Sequence, residues 1–345
     1  MDIALVAHYL DETVGYGISR YAFELRSGLK QKEVHVNTIS CPHKFPSPLK
    51  SALDYYFYLP FLVLFMGGNS RVFHFTMQQA GFAIPLLKLL RRKKVVTTIH
   101  DLHPLLQAKR SLPLLKTAIR MSATESDHIL ADSEQTKSDL MKYFKIRESK
   151  ITVVPLGIDE KFKPLKRPKN KEFTVGYLGG FSEQKDVPYL LRAFSIFEKQ
   201  SSKPAKLILY GKGPQYEECL SLAKELGIKK VEFKGFADEK DLVRIYNSFD
   251  VFVFPSKMEG FGFPVLEAQK CGVPVVVKES ARISPEITEF CFKSKDEDDL
   301  TRILSGIAKN GFSYSEDHSN YLDQFTWDTC ADETIKIYKK YLAAS

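Results

Sequence analysis

Two glutamates eight positions apart, Glu259 and Glu267, bracket the run Gly260-Phe261-Gly262-Phe263-Pro264-Val265-Leu266. An ionised carboxylate only accepts hydrogen bonds, so it matches the hydroxyl groups of a sugar ring, and each such charged bond contributes about 1.5 to 3 kcal/mol. Gly260 and Gly262 allow positive φ, and Pro264 suits the first position of a helix that Gly272 then ends. Glu259 is therefore expected in a loop at a strand's carboxyl end, and Glu267 in the first turn of the helix. Backbone N–H groups near Gly262, Phe263 and Val265 would turn a positive helix end toward phosphate. Together these residues could hold a sugar, a diphosphate and a ribose. The same pattern also fits a solvated loop residue at Glu259 and a favourable helix-dipole charge at Glu267.

Such a loop needs a strand before it and a helix after it, and the chain supplies that grammar from end to end. Short runs of β-branched and aromatic residues at 3–7, 34–39, 72–75, 95–99, 128–131 and 151–154 alternate with helix-length segments. A second series follows at 173–177, 206–210, 231–234, 251–254 and 273–277. Alternation of this kind predicts parallel sheets with helical crossovers, and in such sheets ligands bind beyond the carboxyl ends of the strands. Residues 161–171, rich in lysine and proline, read as a linker. The expected division is an N-terminal domain over 1–160, a second over 161–325, and a terminal helix over 326–345 packing back toward the first.

At 345 residues the chain is long enough for two such cores. The net charge of +8 favours anionic partners. Five scattered cysteines include no CxxC pair, which suggests a reducing compartment. The N-terminus Met1-Asp2-Ile3 lacks the basic region of a signal peptide, so a cytoplasmic location is expected. Residues 53–66 are apolar and aromatic but too short to span a bilayer, and read as a buried helix with membrane contact as the alternative. Lys88, Arg91, Arg92, Lys93 and Lys94 cluster before one strand, and Lys109, Arg110, Lys116 and Arg120 decorate the segment after it. That distribution fits peripheral contact with an anionic membrane or a solvated helix face. It lacks the aromatic interleaving of a nucleic-acid surface, and no nucleic-acid partner is expected. No paired aspartates or histidine cluster with ligand spacing marks a metal site, and no metal or cofactor is expected.

The stretch Glu259-Gly-Phe-Gly-Phe-Pro-Val-Leu-Glu267 resembles the E-x7-E signature of retaining glycosyltransferases of family 4, which have the GT-B fold. Other segments resemble that family in its order: Val14-Gly-Tyr-Gly-Ile-Ser-Arg-Tyr21, Thr98-Ile-His-Asp101, Val154-Pro-Leu-Gly-Ile-Asp159, Leu178-Gly-Gly-Phe-Ser-Glu-Gln-Lys185, Tyr210-Gly-Lys-Gly-Pro214 and Phe325-Thr-Trp327. The resemblance implies an α/β architecture of two Rossmann-like parallel-sheet domains facing a central cleft. It implies a metal-independent, hexosyltransferase-type enzyme that moves a sugar from a nucleotide-diphosphate donor to a lipid-linked saccharide or glycan with retention of configuration. By that resemblance Glu259 contacts the donor sugar, Glu267 the ribose, and Lys185 the charge building on the departing diphosphate.

His100, after the strand at 95–99 and before Asp101, would by the same resemblance touch the donor sugar or organise the acceptor; a satisfied polar pair with Asp101 is the plain alternative. Gly17 could let backbone approach the diphosphate or acceptor, or simply make a turn. Its loop is not the GxGxxG of a dinucleotide site, which weighs against a dehydrogenase. Phe236 lies in the Gly235-Phe236-Ala237 turn, where the family's nucleotide base rests against backbone. The family usually carries an arginine where this chain has Gly180, and Lys212 is the candidate substitute. That departure keeps open a non-catalytic nucleotide-sugar binder; another nucleotide-sugar enzyme, such as an epimerase, would need an acid and base pair that the sequence does not display.

Overall fold

The computed structural model describes residues 1–8, 10, 17–41, 54–102, 105, 113–166 and 172–343. Residues 11–16 of the first glycine loop, His103, Lys109, Arg110 and residues 167–171 of the expected linker lie outside them. Contacts divide the chain into two units, Met1–Gly157 with Phe325–Ser345, and Ile158–Gln324.

The first unit holds strands β1 (Asp2–Ala7), β2 (His35–Ser40), β3 (Val72–Phe75), β4 (Lys94–Ile99), β5 (His128–Ala131) and β6 (Ile151–Val153). They form one parallel sheet in the order β2-β1-β3-β4-β5-β6. β1 pairs through Asp2 with His35 on one side and through Ile3 with Val72 on the other, so the strand order reverses there. Helices α1 (Gly17–Gln31), α2 (Leu59–Met66), α3 (Ala83–Arg91), α4 (Pro113–Glu125) and α5 (Glu134–Phe144) make the crossovers. The C-terminal helix Trp327–Ala343 packs on α1 and β3. Helix α2 departs from the expected buried helix. Leu59, Leu62 and Val63 are buried, while Phe57 just before it and Phe61, Phe65 and Met66 within it are exposed. Among the described residues, one side of this apolar segment is buried and the other is left exposed.

The second unit holds β7 (Phe173–Leu178), β8 (Ala205–Tyr210), β9 (Val231–Gly235), β10 (Val251–Phe254), β11 (Val275–Lys278) and β12 (Phe292–Ser294). Their order is β12-β11-β10-β7-β8-β9, again all parallel. β10 reads Val-Phe-Val-Phe and is buried throughout, as a central strand covered on both faces must be. Helices α6 (Val187–Gln200), α7 (Tyr216–Glu225), α8 (Leu242–Asn247), α9 (Phe263–Lys270), α10 (Pro285–Thr288), α11 (Glu297–Asn310) and α12 (Glu316–Leu322) complete the unit. Phe194 and Phe197 of α6 and Leu300 and Leu304 of α11 fill one core with β7, β8 and β10. Strand order reverses between β7 and β10, and a crevice beyond the carboxyl ends of two such strands is where doubly wound sheets bind ligands. The described part of the expected linker is not a free tether. Phe162 is buried, the Leu165 amide donates to Asn247 Oδ1 at 2.7 Å, and Asn247 Nδ2 donates to the Lys163 carbonyl at 3.1 Å.

Candidate functional site

Lys185 follows β7 and Glu259 follows β10, so the strand reversal of the second unit brings them together. Lys185 Nζ lies 2.5 Å from Glu259 Oε1, with the side chains 20% and 13% exposed. The buried Ser256 hydroxyl donates to the same oxygen, and the ammonium stands 4.9 Å from the centre of the Phe254 ring. Backbone fixes the loop around the pair. Lys257 N donates to Gln184 O at 2.8 Å, and Glu259 N to Arg282 O at 3.1 Å. Gln184 Nε2 donates to Met258 O at 2.5 Å. An ion pair this sheltered is screened less than a surface pair, and removing one partner leaves the other charge poorly hydrated. An ammonium held by one carboxylate oxygen keeps donors for an incoming anion, the arrangement that stabilising a leaving diphosphate requires.

The turn after Glu259 differs from expectation in two places. Gly262 has φ 101° and caps α9, so the helix begins at Phe263, with Pro264 second. Glu267 therefore sits past the first turn, buried, with its Oε2 accepting from Tyr246 Oη at 2.8 Å. It is no helix-dipole charge. Val265 is the second correction: its side chain is fully buried and its N–H donates to the Gly262 carbonyl at 3.0 Å. Pro264 has no N–H to offer a ligand. Phe261 is buried edge-to-face against the half-buried Phe263, ring centres 5.1 Å apart, and Gly260 between Glu259 and Phe261 is half-buried.

Gly180, Lys212 and Phe236 follow β7, β8 and β9, three adjacent strands, at their carboxyl ends. Their loops interlock through backbone. Gly211 N donates to Gly235 O at 2.6 Å, Phe181 N to Lys212 O at 3.1 Å, and Gln215 N to Phe181 O at 2.9 Å. A Cβ on Gly211 would stand 1.8 Å from Gly179 O, so only glycine allows this approach. Gly180 is different: it is exposed, lies outside the positive-φ region, and a Cβ there would meet only Lys212 O, at 3.8 Å. Lys212 is exposed with its ammonium 4.6 Å from the Tyr216 ring centre, and Phe236 is 81% exposed.

In the first unit, His100 follows β4 and is buried with both ring nitrogens engaged. Nδ1 lies 3.2 Å from Asp132 Oδ2 and Nε2 lies 3.0 Å from the Thr76 carbonyl. The partner is thus Asp132, at the end of β5, and not the adjacent Asp101. Burial opposes the charged imidazolium, but Asp132 and the Thr76 carbonyl outweigh it, and the His100 pKa stands above its ordinary value. Burial raises Asp132 to about 6. Two acceptors around one ring suit an imidazolium that donates to both; direct contact with a ligand requires one of these bonds to be exchanged. Tyr21 packs edge-on against His100 at 5.0 Å and hydrogen-bonds Thr98, which also bonds His74. His74 reaches Tyr338 of the C-terminal helix at 2.5 Å, and burial lowers its pKa to about 3. Gly17 is the exposed first residue of α1, after β1.

Ser256, Tyr246 and Asp132 are the polar partners that sequence reasoning missed. Ser256 and Asp132 each lie just past the carboxyl end of a strand, a signal that was available; Tyr246 had none. Among the described residues, no three His, Cys, Asp or Glu side chains are grouped so as to hold a metal ion.

A sequence profile described as Glycosyl transferases group 1 matches residues 157–321, and one described as Glycosyltransferase Family 4 matches residues 16–162. The chain belongs to these glycosyltransferases. An uncharacterized glycosyltransferase of Methanocaldococcus jannaschii is 29% identical over 64% of this chain and 61% of its own length. The O-antigen chain mannosyltransferase B of Escherichia coli is 25% identical over 72% of this chain and 71% of its own. The chain thus spans less than two thirds of the first of these relatives. Among solved structures, sucrose-phosphate synthase from Thermosynechococcus elongatus superposes with a TM-score of 0.79 at 20% identity, each chain covered in full. Anabaena HepE in complex with UDP and glucose gives 0.75 at 17% identity, over 99% of this chain and 100% of that one. At those identities the likeness establishes the GT-B fold.

Proposed function

We propose that this glycosyltransferase takes a hexose from a nucleoside diphosphate donor and transfers it, with retention and without a metal ion, to a lipid-linked saccharide or glycan at the cytoplasmic face of a membrane. The observation that carries the reading is Lys185 on Glu259 at the reversal of the second sheet. Glu259 orients the sugar hydroxyls, and Lys185 meets the negative charge that grows as the diphosphate departs. Gly260, Phe261, Gly262 and Phe263 bring backbone to the phosphates, and Glu267, aligned by Tyr246, takes the ribose. Phe236 and the loops of Lys212 and Gly180 take the base and the rest of the diphosphate; in the first unit, Gly17 and His100 keep the roles that the family resemblance gives them. Uridine diphosphate donors suit this chain by its likeness to a structure described with UDP and glucose.

The test is a panel of nucleotide sugars assayed for nucleoside diphosphate release, with and without membrane lipid, in EDTA and in magnesium. Turnover in EDTA that falls at least a hundredfold in Lys185→Ala, with donor binding retained, is expected. Magnesium-dependent turnover would remove the metal-free part. One observation favours a second reading, a non-catalytic nucleotide-sugar binder: position 180, where the family usually carries an arginine, is a glycine, and a Cβ there would meet only the Lys212 carbonyl, at 3.8 Å. Binding without turnover for every donor would establish it.

A further inference from the structure

The half-covered helix α2 and its neighbour α3 form a surface that the transfer chemistry does not use. Phe61 and Phe65 lie one helical turn apart with their rings tilted against each other, centres 4.6 Å apart, and are 57% and 66% exposed. Phe57 and Met66 extend the same apolar side, at 70% and 55%. On α3, Ala83, Ile84 and Leu87 face the core, while Leu89 and Leu90 are 77% and 63% exposed. The two helices pack together, and Arg91 Nη2 donates to the α2 carbonyl of Leu64 at 2.5 Å, which sets the end of α3 beside Phe61 and Phe65.

That end is cationic. Lys88 and Lys94 turn toward Asp127, but Arg91 and Arg92 are exposed and Lys93 half-exposed at the margin of the apolar patch. No acidic residue interrupts the chain between Asp54 and Glu125 except Asp101. Soluble proteins seldom leave so many large side chains together in water unless something covers them. Aromatic rings flanked by arginine and lysine match one surface in both respects, the boundary between acyl chains and anionic headgroups. A second copy of this chain, with its net charge of +8, would bring the same cations to the contact. Among the described residues no helix is long and apolar enough to cross a bilayer, so the contact is one of lying on the surface.

We infer that the α2–α3 face docks the protein on an anionic bilayer, with Phe57, Phe61, Phe65 and Leu89 entering the headgroup boundary and Arg91, Arg92 and Lys93 holding acidic headgroups. This docking does not depend on the transfer reaction and is tested without donor. Sedimentation with vesicles of phosphatidylcholine, with and without about a quarter phosphatidylserine, reads the partition directly. The chain should co-sediment with the anionic vesicles and be released by salt. Arg92→Gln with Lys93→Gln should weaken partition about 25-fold, roughly fivefold for each cation. Phe61→Ser with Phe65→Ser, both exposed and so neutral for folding, should weaken it at least about tenfold. Failure of the unaltered chain to bind anionic vesicles overturns the inference. So does a salt-independent partition equal on both vesicle types, or a concentration-dependent dimer that the phenylalanine variant abolishes. A transferase assay that fails while vesicle binding holds would overturn the transfer reading alone.

Discussion

Restoring the missing arginine asks the sharpest question of the second unit. Gly180→Arg adds a cation where the family usually keeps one, and the geometry permits it: φ lies outside the positive region and the new Cβ meets only Lys212 O at 3.8 Å. The backbone need not move, because the Gly180 carbonyl goes on accepting from Tyr177 Oη at 2.7 Å. A preorganised donor aimed at developing charge is worth about a hundredfold to a thousandfold in rate. Gly180 is exposed, so an arginine there must first be ordered, at up to about 2 kcal/mol, or roughly 30-fold. The remainder is an increase of roughly 3- to 30-fold in kcat/KM, with an unchanged Tm. Initial rates of nucleoside diphosphate release would be compared across Gly180→Arg, Gly180→Gln and Gly180→Ala, the last two controlling for bulk and for backbone. If arginine is no faster than glutamine while all three fold, the vacancy beside Lys212 is not the place where leaving-group charge gathers.

Tyr246→Phe removes the hydroxyl that Glu267 accepts from inside the protein, so stability should fall by about 1.5 to 3 kcal/mol and donor KM should rise with kcat held; a fall in kcat alone would place Glu267 on the reacting sugar. Gly262→Ala forces a side chain into φ 101° with its Cβ 3.4 Å from Ile287, and should cost about 1 to 3 kcal/mol in denaturant unfolding; no loss would mean the cap relaxes. His74 has its folded pKa lowered to about 3 against 6.5 ordinarily, so its contribution is intact above pH 6.5 and is lost as pH falls toward 3. That loss is on the order of 3 kcal/mol by pH 4.5, and in His74→Gln the stability lost between pH 6.5 and 4.5 should shrink by about that amount; an unchanged acid loss would mean His74 charges freely in the fold.

Sequence reasoning reached the strands where a buried strand leaves a plain mark. β3, β5 and β10 each coincide with a run of apolar and β-branched residues that a doubly covered sheet demands. It missed β12, whose three residues Phe292-Lys293-Ser294 bury little and carry no pattern. The start of α9 went astray because it rests on the φ of Gly262, which a glycine in the sequence permits without requiring. The place of Asp132 past a strand end was legible, but its partnership with His100, 32 residues away, was not, and Tyr246, 21 residues from Glu267, carried no mark at all. Strand order and helix packing make these contacts, and no local window contains them. The pairing of Lys185 with Glu259 spans 74 residues and is equally non-local, yet both ends were legible because each stands past the carboxyl end of a strand.

The interlocked backbone of the Gly180, Lys212 and Gly235 loops bears on how such a site can change over generations. Where loops are adjustable, a new base can be accommodated by exchanging side chains. Here amide meets carbonyl directly, at 2.6 Å between Gly211 and Gly235 and 3.1 Å between Phe181 and Lys212, and glycine at 211 leaves no slack. On the proposed function, the nucleotide end is cast during folding instead of being fitted on binding. A descendant that takes a different base would then be expected to differ by an inserted or deleted loop residue, while its choice of sugar would drift by ordinary point substitution around Glu259.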